Sequence, residues 1–216
     1  MMLPAILPVV LLVALGATFT LLTRHVGKHL GHSPNMFGAR DNAHDFVGRV
    51  YRVGGAVLFA FLVVRTAWPG ADRMAGAITA MVQPVIGWTG FVIMAAGSVV
   101  IVAAQVQMGL AWRIGLDAER TGLVTTGLFA WSRNPTFLGM MAVVFGAFLI
   151  TPTAVTAGIF VAAWVAFSVQ IRMEEEHLLR MHDAAYERYR GAVPRWLVPG
   201  SRTGMTRNHN RAVNHG

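Results

Sequence analysis

Residues 131–177 read WSRNPTFLGMMAVVFGAFLITPTAVTAGIFVAAWVAFSVQIRMEEEH, and this stretch decides the fold. Two apolar runs, 136–150 and 154–171, are separated only by Thr151, Pro152 and Thr153, and no charge lies between Arg133 and Arg172. In hydrocarbon every backbone N–H and C=O must be satisfied inside the segment, so such runs are read as helices. A three-residue link makes them a tight antiparallel hairpin whose open ends face the same side. Arg133-Asn134-Pro135 stands at one of those ends and Arg172-Met-Glu-Glu-Glu-His177 at the other. Ionisable groups beside a bilayer core are costly and persist where they pair or hold something, so the two mouths are expected to build one site.

Working outward, three more apolar segments can be drawn at 3–22, 50–68 and 84–106, and the run 136–150 is short for a span. The chain is 55% hydrophobic and 13% charged over 216 residues, which excludes an ordinary soluble domain. The expected fold is an all-α integral membrane protein of about five transmembrane helices. It ends in the helical hairpin and an amphipathic cytoplasmic exit helix. A single domain is expected over 1–198, with generic transmembrane helices over 1–104 and the hairpin region over 105–198. The tail 199–216, rich in Gly, Asn, Arg and His and without periodicity, is expected to be disordered. The exit helix is read from Arg172 to Arg190, with Leu178, Leu179 and Met181 on its apolar flank and Pro194 ending it.

Sixteen of the 18 lysines and arginines fall on the side that carries residues 24–52, 113–133 and 172–211; only Arg65 and Arg73 fall on the other. That asymmetry predicts an outside N-terminus, a cytoplasmic C-terminus and a cytoplasmic site in a cell or inner membrane. The net charge of +8 therefore belongs to span flanks and anionic headgroups, and no nucleic-acid partner is expected. Met1-Met-Leu-Pro-Ala5 lacks a basic region before its apolar run, so the first segment is read as a permanent span.

The chain has no cysteine, which removes disulfides, thiolate zinc sites and thiol nucleophiles. His25, His29 and His32 have a spacing that could gather imidazoles, and Glu174 and His177 one that suits a di-iron ligand pair. Without adjacent histidine boxes the first cluster is read as an interfacial loop and no metal is expected. No G-x-G-x-x-G or P-loop pattern occurs, so a nucleotide-derived cofactor must sit among helices and loops. Arg172 pairs in spacing with Glu175 and Glu176, and three consecutive carboxylates cover more than one helix face, so at least one points to the other mouth. There, Pro135 starts a helix, and Arg133, Asn134 and the free amides of its first turn suit an anion. Gly122 and Gly127 bracket a loop where backbone could approach a ligand. Tyr186 and Tyr189 are read as packing residues, and Trp112, Trp131 and Trp196 as interfacial belt residues.

In order along the chain, Leu123-Val-Thr-Thr-Gly-Leu-Phe-Ala-Trp-Ser-Arg-Asn-Pro-Thr-Phe-Leu-Gly139, a two-helix hairpin, Arg172-Met-Glu-Glu-Glu176 and Tyr186-Glu-Arg-Tyr-Arg-Gly-Ala-Val-Pro-Arg-Trp-Leu197 resemble the isoprenylcysteine carboxyl methyltransferase family. The wider group includes membrane phospholipid methyltransferases. The resemblance covers residues 105–198 and implies a pocket for S-adenosyl-L-methionine, with a lipid substrate arriving laterally between helices. It implies that Thr121, Gly122, Leu123 and Val124 line the adenosine, and that Phe129, Asn134, Pro135, Thr136 and Phe137 continue the pocket. Glu176 is implied as a cofactor ligand and Arg172 as the catalytic, substrate-binding residue. The family commonly carries His at the place of Asn134 and Tyr at those of Phe129 and Phe137.

The leading expectation is a methyltransferase that uses S-adenosyl-L-methionine and acts on a hydrophobic or lipid-linked acceptor, with membrane lipids as the other partner. A carboxylate acceptor needs no base, because it is already deprotonated and requires only approach, alignment and a dry site. A carboxylate acceptor comes first because of Arg172; a phospholipid amine or a small thiol comes second and would need Glu174 or Glu175 to take a proton. Two readings of other classes compete: an NADPH-dependent sterol-type reductase, which the few spans disfavour, and a non-catalytic scaffold or small transporter.

Overall fold

The computed structural model describes residues 2–30, 43–109 and 122–197. Their order is α1 (Ile6–Leu30), α2 (Ala43–Ala67), the short α3 (Ala71–Met74), α4 (Pro84–Met108), α5 (Pro135–Ile150), α6 (Ala154–His182) and α7 (Ala184–Ala192). The fold is all-α. Helices α1, α2, α4 and α6 are long and apolar enough to cross a membrane. The 16 residues of α5 rise only about 24 Å, against a hydrocarbon core of about 30 Å.

The centre of the molecule is the antiparallel pair α4 and α5, and glycine explains its closeness. Added Cβ atoms at Gly90 and Gly97 would lie 2.7 Å and 2.6 Å from the carbonyl oxygens of Gly146 and Gly139. The reverse distances are 2.5 Å from Gly146 to the Gly90 oxygen and 2.7 Å from Gly139 to the Gly97 oxygen. Small residues of this kind let membrane helices bring their backbones together. Met94, Ile101, Val143 and Ile150 fill the spaces between, with Leu11, Leu15 and Phe19 of α1 against them.

The hairpin turn is closed as its composition suggests. Thr153 and Thr156 form a reciprocal capping box at the start of α6, an arrangement worth about 1 kcal/mol. The Thr156 hydroxyl also donates to Thr151 O at 2.6 Å. Segment 75–78 lies across the turn, with Ile78 N donating to Pro152 O at 2.8 Å and Ala154 N to Gly76 O at 2.9 Å. Nearby, Arg65 Nε donates to both carboxylate oxygens of Asp72, holding α2 to α3.

Two expectations change. The first span continues to Leu30, so His25 and His29 stand on α1 instead of in a loop, with His29 Nδ1 3.0 Å from His25 O. Helical hydrogen bonding simply continues past the apolar run. The exit helix is not continuous: it breaks at Asp183, which takes φ 45° and ψ −121°, a positive-φ conformation that cannot continue a helix. The break lets α7 fold back, so that Tyr186, Tyr189 and Val193 pack with Leu178, Leu179 and Leu123. The tyrosines are packing residues, as expected. Finally, Trp196 stacks on Trp164 of α6, with ring centroids 5.7 Å apart, and Trp131 is exposed. Thr121, His32, Trp112 and the tail 199–216 lie outside the described residues.

Candidate functional site

Three consecutive glutamates on α6 are separated by about 100° each, and they meet three different surroundings. Glu175 is the one that turns to the other mouth of the hairpin. Its side chain is 8% exposed, and Arg195 grips it with two parallel bonds, Nε to Oε1 at 3.0 Å and Nη2 to Oε2 at 2.7 Å. Asn134 Nδ2 donates to Oε1 at 3.3 Å, and Arg133 Nη2 stands 3.4 Å from the same oxygen. A fork-to-carboxylate pair of this kind is the strong form of an ion pair. It also keeps the Arg195 guanidinium above its ordinary pKa, chiefly through the hydrogen bond to Glu175.

The backbone around this pair is knitted together. Arg133 N donates to Pro194 O at 3.0 Å, and the Ser132 hydroxyl and Asn134 Nδ2 donate to Arg195 O at 3.2 Å and 3.3 Å. Asn134 N donates in turn to the Ser132 hydroxyl at 3.1 Å. On the other flank Tyr189 Oη donates to Phe129 O at 2.7 Å. Burial pushes the Tyr186 phenol up to about 12 and raises Tyr189 too, so both remain protonated at neutral pH. The strap 193–197 is thereby fastened to the loop 129–134.

Two arginines meet one carboxylate here. The Arg133 side chain is 9% exposed, yet its Nε and Nη1 have no hydrogen-bond partner among the described residues. Buried charged donors without acceptors are expensive, so a site with this surplus suits an anionic group such as the carboxylate of an amino-acid moiety. Asn134, Pro135, Thr136 and Phe129 are buried beside it, Phe137, Leu123 and Val124 are half-buried, and Gly122 is exposed. Leu123 packs with the tyrosine cluster. Gly127, at φ 61°, serves the chain itself: Gln107 Oε1 lies where a Cβ would stand and accepts from Leu128 N at 2.8 Å.

The structure does not bring Arg172 and Glu176 to this network. Both are exposed, on the side of α6 away from Glu174, and Arg172 Nη1 donates to Ser168 O at 2.6 Å. The helix period explains the outcome, because only one of the three glutamates can face Arg195. Sequence reading did not single out Arg195 or Ser132 as site residues. Arg195 lies inside the quoted stretch that ends at Leu197, but only the fold-back at Asp183 carries it to Glu175.

Glu174 faces a third environment. It accepts from Gln170 Nε2 at 2.8 Å, while Gln170 Oε1, in a residue 1% exposed, has no partner among the described residues. This face of α6 continues through Phe167 and Ala163 along a chamber of about 1060 Å³ bounded also by α1, α2 and α5. Leu12, Phe19, Val53 and Met140 line it, and it is almost wholly apolar. The Phe167 ring at its end touches Tyr51 of α2 and Phe137 of α5, with centroids 5.3 Å and 5.6 Å away. Phe137 is in the first turn after Asn134, so the chamber ends one helical turn from the charged network. Among the described residues no group of three or more His, Asp or Glu could hold a metal ion.

Comparison with known proteins agrees with this architecture. Residues 85–185 match the family described as phospholipid methyltransferase. A protein-S-isoprenylcysteine O-methyltransferase of Saccharomyces cerevisiae is 38% identical over 73 residues, which cover 33% of this chain and 30% of that protein. A protein of the same name from Schizosaccharomyces pombe is 30% identical over 96 residues, 43% of this chain and 41% of the other. The chain thus spans less than half the length of these curated relatives.

Proposed function

We propose that this chain, whose segment 85–185 is a phospholipid methyltransferase family domain resembling the isoprenylcysteine carboxyl methyltransferases, is a membrane methyltransferase that takes its methyl group from S-adenosyl-L-methionine and passes it to a lipid-linked acceptor. The observation that carries this reading is the juxtaposition of an anion-hungry polar network with an apolar chamber inside the helical layer. One end suits a charged amino-acid group and the other a hydrocarbon.

The residues present fit such a cofactor. Arg133 has free donors for its carboxylate, and the loop 122–124 with Phe129 offers backbone and apolar surface for its adenosine. When bound, the cofactor supplies an electrophilic sulfonium methyl. The protein then has to hold that methyl in line with the acceptor atom and exclude water, which contributes through alignment more than through new chemistry. Asn134 to Phe137 stand between the two halves and are suited to set that alignment. The strap 193–197 closes the polar side. Glu176 and Thr121 remain proposed cofactor contacts, and Arg172 a proposed substrate contact at the exposed edge of α6.

Calorimetric titration of the detergent-purified chain with S-adenosylmethionine, S-adenosylhomocysteine and NADPH tests the reading. Saturable binding of the first two, lost in Arg133→Ala, is expected. Binding of NADPH alone would replace the methyltransferase by the reductase reading.

A further inference from the structure

We infer that Glu174, positioned by Gln170, takes a proton from the methyl acceptor, so that the reacting atom of the acceptor is a protic nitrogen or sulfur at the end of a hydrocarbon tail. The inference deepens the methyltransferase reading and rests on it.

Ala163 and Phe167 line the chamber, and Gln170 and Glu174 follow on the same stripe of α6 at helical spacing, beyond its Phe167 end. Glu175 is neutralised by Arg195 and Arg133, but among the described residues Glu174 has no cation within ion-pair distance. Its hydrogen-bond partner is the Gln170 amide, whose own oxygen is buried and, among those residues, unpartnered. Arg172, the guanidinium nearest in sequence, is turned to the opposite side. Among the described residues, the titratable groups that face Glu174 are Tyr51 from α2 and Glu175 beside it; His177 stands one turn on along α6, its Nε2 buried without a partner among those residues.

The Glu174 carboxylate and the Gln170 carbonyl oxygen both accept hydrogen bonds, and the groups beside them that could donate are the Tyr51 hydroxyl and the His177 ring. A carboxylate acceptor brought here would add a like charge. An ammonium or a thiol would satisfy both oxygens. It would also need what a carboxylate acceptor does not, a group to remove its proton. The step balances: the N–H or S–H proton passes to a Glu174 carboxylate oxygen, and the freed lone pair forms the new bond to the methyl carbon of the sulfonium donor. The carbon–sulfur bond of the donor breaks with its electron pair kept by sulfur, leaving a neutral thioether.

The tail has ample room. At roughly 30 Å³ for each water-sized group, 1060 Å³ takes about 35 such groups, more than one chain of about 16 carbons. Gly16, Gly54, Gly55 and Gly158 line the chamber, and an added Cβ at any of them would meet nothing within 4 Å.

The test uses the full chain in detergent with two simple probes, dodecylamine and dodecanethiol, against dodecanoate. In native mass spectrometry the wild type should prefer dodecylamine to dodecanoate by roughly tenfold or more, the worth of about one charge-assisted hydrogen bond, and Glu174→Gln should lose the preference. With S-adenosylmethionine present, Glu174→Gln should lower turnover roughly 10²- to 10⁴-fold at neutral pH, recover it as pH rises, and leave S-adenosylhomocysteine affinity unchanged. Glu174→Asp should restore part of the rate. Which of the two protic probes is methylated separates amine from thiol. Undiminished turnover in Glu174→Gln, or methylation of dodecanoate by wild type and variant alike, would overturn the inference. Loss of cofactor binding by the wild type with the amine preference intact would instead remove the methyltransferase reading and leave the cation site. Cofactor binding without any amine preference would remove the inference alone.

Discussion

At the scale of the residue, three adjacent glutamates show how much of a site depends on direction. Glu175 is held by Arg195, Arg133 and Asn134, so its removal leaves the buried Arg133 and the half-buried Arg195 without their counter-charge. Breaking a buried pair from one side costs roughly 3–5 kcal/mol. Glu175→Ala should therefore lower the thermal midpoint of the detergent-purified protein markedly, whereas Glu176→Ala, at an exposed position, should barely change it. A midpoint shift of equal size in both variants would contradict the assignment. Cofactor affinity gives an independent comparison: it should fall in Arg133→Ala, which removes the unpartnered donors, and titration calorimetry reads it directly. At Gly127, φ 61° strains any side chain and an added Cβ would displace the Gln107 amide that holds Leu128 N, so Gly127→Ala should also destabilise, by about 1–3 kcal/mol in the same melting experiment.

At the scale of the element, glycines divide by what they face. Gly90, Gly97, Gly139 and Gly146 press backbone against backbone, whereas Gly54, Gly55 and Gly158 border open chamber. Gly97→Leu must push α5 from α4 and should abolish a folded, monodisperse protein in size-exclusion chromatography. Gly158→Ala meets nothing and should raise stability by about 0.5–1 kcal/mol, because alanine is the better helix former. Equal tolerance at both positions would refute this division. The elements themselves were largely legible in sequence: the apolar runs 84–106, 136–150 and 154–171 correspond to α4, α5 and the membrane part of α6. Hydropathy marks where hydrocarbon begins but not where helical hydrogen bonding ends. That is why α1 runs on to Leu30 past His25 and His29. The break at Asp183 was not legible, since a single residue at positive φ leaves no periodic trace. With that break went the place of Arg195, and with it the knowledge of which glutamate the loop would hold. Gln170 carried a readable signal, a lone polar residue four positions before Glu174, but only the chamber gives it meaning.

At the scale of the whole molecule, the polar network, the chamber end and the free Arg133 donors all lie at the open end of the α5–α6 hairpin, while Arg65 and Asp72 lie at its closed end with segment 75–78. The two ends are thus chemically distinct faces of one helical layer. The basic residues predict which is which: the split of sixteen lysines and arginines against two favours a cytoplasmic open end. A soluble, nucleoside-derived methyl donor is supplied from that side, so the orientation and the proposed cofactor support each other. Because the chain has no cysteine, single reporters test this without background. Gly191→Cys, exposed on α7 beside the strap, should resist a membrane-impermeant maleimide in intact cells and react after the membrane is opened. Ala80→Cys, exposed near the closed end, should react in intact cells. The reverse pattern would put the network on the outer side, away from the donor, and the methyltransferase reading would lose its cofactor supply.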